Sequence, residues 1–149
     1  MKKVFLLLLL FASVPVFGQT KMLLNVDKQG VGIQGYDPVA FFTQNRLVKG
    51  RPEFESKYNG VRYLFASAED KAAFDANPAK YEPQFGGFCA YAASQNHTAP
   101  VKIEAFQIVN GRLLMQYDLG VRNKFNKDTQ GNLQKADKNW PGLVQKEGK

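Results

Sequence analysis

The sequence has little of three residue types that often carry binding and catalytic chemistry. It contains one cysteine, Cys89, one histidine, His97, and one tryptophan, Trp140, among 149 residues. A single cysteine excludes an internal disulfide and a Cys-x-x-Cys dithiol centre. The paired cysteine and histidine spacings of a closed structural zinc site are absent as well. The fold must therefore be stabilised by packing, and we interpret the chain as a non-enzymatic protein.

The first 20 residues, MKKVFLLLLLFASVPVFGQT, have the layout of a secretory signal peptide. Lys2 and Lys3 precede an apolar run over residues 4–12, and Gly18 is a small residue at a cleavage position. The alternative, a membrane anchor, needs about 20 apolar residues. We therefore predict a signal peptide over residues 1–18 and an exported, periplasmic or secreted protein with no transmembrane segment after cleavage.

The charge of the chain is basic but dispersed. The formal net charge is +7, and it falls to +5 without the two lysines of the leader. Most of that excess lies in residues 120–149, where the basic residues are scattered among Asn, Gln and Gly. Such spacing is typical of a solvated face rather than of a nucleic-acid interface. We therefore expect no nucleic-acid partner.

Two Asn-Gly pairs predict β-hairpins. Asn59-Gly60 separates the strand-like runs 54–58 and 61–65, and Asn110-Gly111 lies within EAFQIVNGRLLMQYD. Asn-Gly favours a turn with both central residues at positive φ, which matches the twist of paired strands. The sequence therefore predicts antiparallel pairing in both regions.

Short helices are predicted around the hairpins. Asp37 before Pro38 suits a helix start, and Ser67 before AEDKAAFDA suits a capped helix that ends at Asn77-Pro78. Another short helix is expected from about Gly87 through the CAYAA segment, and a weaker one from about Leu119. Together with the hairpins, these helices predict an α+β domain: a small antiparallel sheet with short helices packed on it.

A last helix is predicted near the C-terminus. Asn132 is the expected N-cap, and Leu133, Ala136 and Trp140 follow a helical stripe. Pro141 is expected to end the helix, because proline inside a helix removes a hydrogen bond. Trp140 is expected to be buried as the anchor of this helix.

The words GYDPVAFF, YNGVRYLFAS, FDANPAKYEPQFGGFCAYA, IVNGRLLMQYD and KADKNW resemble the YHS-domain family in its small exported form. We divide the mature chain accordingly into a lead segment, 19–34, and a YHS-like domain with a helical extension, 35–149. The resemblance implies a metal-related role, because the family is related to cysteine-containing metal-binding modules. Those modules carry several cysteines, whereas this chain has only Cys89.

Cys89 is the first candidate site residue. A thiolate suits soft metals, so Cys89 is a candidate ligand for copper or zinc, with His97 and Met115 as possible partners in a mixed site. The competing interpretation is a small buried core residue, which is a common role of free cysteine. Under that interpretation the chain is a structural or interaction domain that binds a protein or a small ligand.

A second candidate site is a pocket for such a ligand. Tyr36 and Tyr91 carry polar tips on aromatic bodies, and Gly86 and Gly87 mark a close backbone approach to a ligand or to another segment. These four residues are the predicted ligand pocket. The sequence does not identify the partner.

Overall fold

The computed structural model describes residues 20–149, so the predicted signal peptide lies outside the described residues. The α+β fold is confirmed. In chain order the elements are α1 (Pro38–Thr43), β1 (Arg51–Tyr58), β2 (Val61–Phe65), α2 (Ala68–Ala76), α3 (Pro78–Tyr81), α4 (Ala90–Ser94), β3 (Lys102–Val109), β4 (Arg112–Gln116), α5 (Leu119–Phe125) and α6 (Thr129–Glu147). Across residues 20–149, no helix combines the length and the apolar character needed to cross a bilayer.

Both hairpins form as predicted. Asn59 and Gly60 have φ of 47° and 78°, and Asn110 and Gly111 have φ of 52° and 72°. These left-handed values are those of the tight turn that Asn-Gly favours. β1 pairs with β2, and β3 pairs with β4, each pair antiparallel and interrupted by a register shift. The hairpins form two separate two-stranded sheets rather than one.

Asp37 joins the first helix to the first hairpin. Its buried carboxylate caps α1 by accepting hydrogen bonds from the N–H groups of Val39 (2.8 Å) and Ala40 (3.3 Å). The other carboxylate oxygen accepts from the N–H of Ala66, just after β2, at 2.7 Å. Asp70 lies beside this carboxylate, and burial together with contact with Asp37 raises the pKa of Asp70 to about 6.

The hydrophobic core has two parts. The first surrounds Phe74, whose ring packs at centroid distances of 5.0 Å from both Tyr63 and Phe65. The second lies between α4 and α6, where Ala90, Ala93, Leu133, Ala136 and Phe125 are buried together with Phe85 and Leu114. β4 contributes to both, because Met115 and Leu114 project into different clusters.

The predicted boundaries of the last helix are wrong. α6 starts at Thr129 after the N-cap Asp128, and Asn132 instead donates its side-chain amide to the carbonyl of Phe125 at 3.0 Å. Pro141 lies inside the helix, which continues to Glu147. Long-range contacts favour that continuation: Leu143 is buried, and the Lys21 ammonium donates to the carbonyl of Gln145.

Trp140 is also less buried than expected. Leu133 and Ala136 face the core, but the Trp140 side chain is only partly buried. Its ring packs edge-to-face with the ring of Phe85, with centroids 5.8 Å apart. The prediction that Leu133 and Ala136 face the core is therefore confirmed, whereas Trp140 lies at the edge of the core and is partly exposed.

Candidate functional site

Cys89 lies at the junction between the Phe85–Gly87 turn, α4 and β4. It is the N-cap of α4, and its backbone forms a single parallel bridge with Met115. Its N–H donates to the carbonyl of Ala99 at 3.1 Å. The structure therefore places Cys89 at the start of the short helix, as the sequence predicts, and on a segment adjacent to Met115.

The thiol of Cys89 is enclosed. Its side chain is 1% exposed. Sγ accepts from the N–H of Ala92 at 3.5 Å and donates to Oε1 of Gln116 at 3.4 Å. Burial raises the pKa of the Cys89 thiol, although nearby backbone N–H groups partly oppose the rise. A thiol that stays protonated and out of contact with solvent is a poor nucleophile and a slow metal ligand.

Gln116 is a residue of this environment that the sequence analysis missed. It is fully buried, and its Oε1 also accepts from the N–H of Tyr91 at 3.0 Å. That bond fixes the orientation of the amide and leaves Nε2 buried without a partner among the described residues. The signal in the sequence is a glutamine at the end of the apolar run LLMQ.

The other two candidate metal ligands, Met115 and His97, differ in burial. Met115 is fully buried in the first core cluster. His97 is exposed on the loop after α4, where Nδ1 lies 3.1 Å from the carbonyl oxygen of Thr98. Within residues 20–149 no group of three or more His, Cys, Asp or Glu residues is arranged to hold a metal ion. This donor set does not fit a four-ligand zinc site.

The four residues of the predicted ligand pocket lie in different surroundings. Tyr36 is covered by the Lys49 ammonium, 4.3 Å from the ring centroid, and Tyr91 packs partly buried against the second core cluster. Gly86 and Gly87 lie beneath residues 20–26, which we call the N-terminal strap. Gly86 is the one of the four that lines the cleft described below.

The N-terminal strap explains the glycine pair. The N–H of Asn25 donates to the carbonyl of Gly86 at 2.8 Å, and the Asn25 side chain donates to the carbonyl of Gly87 at 3.0 Å. Both glycines have positive φ, and a Cβ on Gly86 would overlap the carbonyl oxygen of Leu23. The close approach that the sequence indicates is therefore an approach to another segment of the same chain.

A cleft of about 470 Å³ opens beside the strap. It is bounded by the strap, the turn of the first hairpin, the segment that precedes α4, and α6. Its walls include the residues Leu23, Asn59, Val61, Tyr63, Glu82, Pro83, Gln84, Phe85, Gly86, Arg112, Asp137, Trp140, Pro141 and Val144. The volume lies within the range of about 300–1,000 Å³ that is common for small-molecule sites.

Two carboxylates of the cleft have different partners. The carboxylate of Asp137 accepts hydrogen bonds from both terminal nitrogens of Arg112, at 2.6 and 2.9 Å. The Nε of Arg112 donates to the side-chain oxygen of Gln84 at 2.9 Å. Among residues 20–149, the hydrogen bond that Glu82 accepts comes from the side-chain amide of Asn59, at 3.3 Å. Burial raises the pKa of Glu82, and the Asn59 amide partly lowers it. The cleft thus contains one neutralised ion pair and one half-buried acid.

The fold and this cleft define a small α+β domain with a candidate ligand site beside the N-terminal strap. Residues 40–84 match the family described as the YHS domain, so this segment of the chain is similar to that family. Neither the curated proteins nor the solved structures contain a match to the chain. The matched segment includes Asn59, Tyr63 and Glu82 of the cleft, and it ends before Cys89.

Proposed function

We propose that this chain is an exported, non-enzymatic YHS-type binding module whose ligand site is the cleft beside the N-terminal strap. Export rests on the leader sequence described above. The observation that carries the binding proposal is the cleft itself, which combines apolar walls with a few converging polar groups. That combination is the usual composition of a small-molecule site.

In this proposal Cys89 is a structural residue. Its enclosure supports that role, because a metal or an electrophile has no open path to a side chain that is 1% exposed. The raised pKa of the thiol also disfavours metal binding, because metals bind the thiolate and the thiol stays protonated. The hydrogen bonds of Cys89 with Ala92 and Gln116 give the thiol a capping role within the core.

The binding proposal is tested by NMR chemical-shift mapping of the mature protein against mixtures of small organic molecules. We expect shift changes to cluster on cleft residues, and we expect Val144→Phe to remove them, because a larger side chain there fills part of the cleft. Val144→Thr, a change of similar volume, is the matched control. Shift changes that cluster elsewhere on the surface contradict the proposal.

A soft-metal role is the second candidate, favoured by one observation. The Cys89–Met115 bridge brings a thiol-bearing and a thioether-bearing residue onto adjacent segments, and both donor types suit Cu(I). The test is Cu(I) titration of the mature protein beside Cys89→Ser and Met115→Leu. Stoichiometric binding to the wild type that both folded variants lose supports the metal role, whereas equal weak binding to all three contradicts it.

A further inference from the structure

Glu82 is the acid of the cleft that has no ion-pair partner among residues 20–149. The ion pairs among the described residues join Arg51 to Glu53, Arg62 to Glu55, Lys71 to Asp75 and Arg112 to Asp137. Glu82 takes part in none of them. A half-buried carboxylate that lacks a cation has lost hydration without regaining an equivalent interaction.

The cations that line the cleft are already engaged. All three nitrogens of the Arg112 guanidinium donate to Asp137 or Gln84. The Lys21 ammonium donates to the carbonyl of Gln145 at 2.9 Å. Neither side chain forms an ion pair with Glu82 in residues 20–149, so the carboxylate is available to a cation that comes from outside the protein.

Aromatic rings lie in the walls of the same cleft. Phe85 and Trp140 form an edge-to-face pair, and Tyr63 contributes a further ring. Aromatic faces attract cations, most strongly that of tryptophan. The Arg112 guanidinium already lies over the Phe85 ring, 5.7 Å from its centroid, so the partly exposed ring of Trp140 is the one that a ligand cation can reach. The apolar bodies of these rings also favour a ligand that carries hydrocarbon next to its charge.

These features select an organic cation over a metal ion. A hard metal such as calcium takes six to eight oxygen ligands, whereas this cleft offers one carboxylate that is not already paired. An anion would meet Glu82 directly and would have to displace Asp137 from Arg112. A neutral ligand would leave Glu82 without a counter-ion.

We propose that the cleft binds a small organic ammonium compound, with Glu82 as the counter-ion of the ammonium group and the partly exposed ring of Trp140 beside the hydrocarbon body. This inference rests on the cleft being the ligand site. Beyond that proposal, it specifies that the ligand is positively charged and that Glu82 is the residue that recognises the charge.

The test uses Trp140 as the reporter, because it is the only tryptophan and lines the cleft. Three probes of similar size are titrated into the mature protein at low ionic strength: 2-phenylethylammonium, 2-phenylethanol and 3-phenylpropanoate. NMR shifts of cleft residues give an independent readout. We expect saturable binding of the ammonium probe and binding at least about tenfold weaker for the other two, as expected when one desolvated charge contact is lost.

Two glutamate substitutions give the matched comparison. Glu82→Gln keeps the shape of the side chain and should weaken binding of the ammonium probe by about tenfold or more. Glu104→Gln removes an exposed carboxylate on β3 and should leave that affinity unchanged. Unaltered ammonium binding by Glu82→Gln contradicts the inference.

The remaining outcomes separate the inference from the proposed function. Equal or tighter binding of the alcohol or the carboxylate in the cleft overturns the ammonium assignment and leaves the cleft as a ligand site. If none of the three probes alters Trp140 fluorescence or the shifts of cleft residues, both the inference and the proposed ligand site are contradicted.

Discussion

Gly86 gives the sharpest test of how the N-terminal strap is held. Gly86 has φ of +57°, and a Cβ at this position would overlap the carbonyl oxygen of Leu23. Replacement by alanine therefore has two costs: left-handed backbone strain and displacement of the strap. The strain alone amounts to about 1–2 kcal/mol.

Displacement of the strap adds the loss of specific contacts. Asn25 makes two hydrogen bonds to the carbonyls of Gly86 and Gly87, and each contributes about 0.5–1.5 kcal/mol. Leu23, which packs against the second core cluster, would also move. We expect Gly86→Ala to lower the free energy of unfolding by about 3 kcal/mol in total.

Gly111→Ala is the matched control. Gly111 also has a left-handed φ, +72°, but a Cβ there would have no heavy atom within 4 Å. It should therefore show the backbone strain alone, about 1–2 kcal/mol. The assay is urea denaturation of both variants beside the wild type, with the free energy taken from midpoint and slope. Equal destabilisation by the two substitutions would refute the close approach of the strap.

Other predictions follow from the core, the buried acids, the last helix and the leader. Cys89→Ala should cost about 1–2 kcal/mol, Cys89→Ser should cost more because it buries a hydroxyl, and the native thiol should resist a thiol reagent at pH 8 until the protein is unfolded. The raised pKa of Asp70 means that the native state holds this proton more tightly than the unfolded chain. Stability should therefore rise as pH falls from 7 to 5, by about 1 kcal/mol from Asp70 after allowance for solvent screening. In Asp70→Asn, measured by urea denaturation, the rise should be smaller, and the part that comes from the raised pKa of Glu82 should remain. Pro141→Ala should raise the midpoint of thermal unfolding, because alanine restores a helical N–H at a solvent-exposed position. Intact-mass analysis of the exported protein should show loss of about 18 residues, whereas a full-length mass in the soluble cytoplasm would contradict export.

Local signals predicted the parts of the fold that depend on neighbouring residues. The two Asn-Gly turns and the Asp37-Pro38 helix start were predicted correctly, because turn and cap geometry depend on a few consecutive residues. The short helix entered through Cys89 also follows from local sequence. These features needed no knowledge of distant contacts.

The features that sequence reasoning missed depend on contacts between distant segments. The continuation of α6 through Pro141 is stabilised by Leu143 and by the pairing of Met22 with Lys149, and a local rule for proline contains neither contact. The purpose of Gly86 depends on the strap, which lies about 60 residues earlier in the chain. The cleft joins segments from both ends of the domain, so no single motif marks Glu82 as its acid.

Native mass spectrometry of the protein, recovered without denaturation from the cells that produce it, tests the central claim most directly. The account predicts a small organic molecule bound to the wild type and absent from Val144→Phe, with no metal at stoichiometric occupancy. A stoichiometric metal that remains in Val144→Phe and is lost in a folded Cys89→Ser would contradict it.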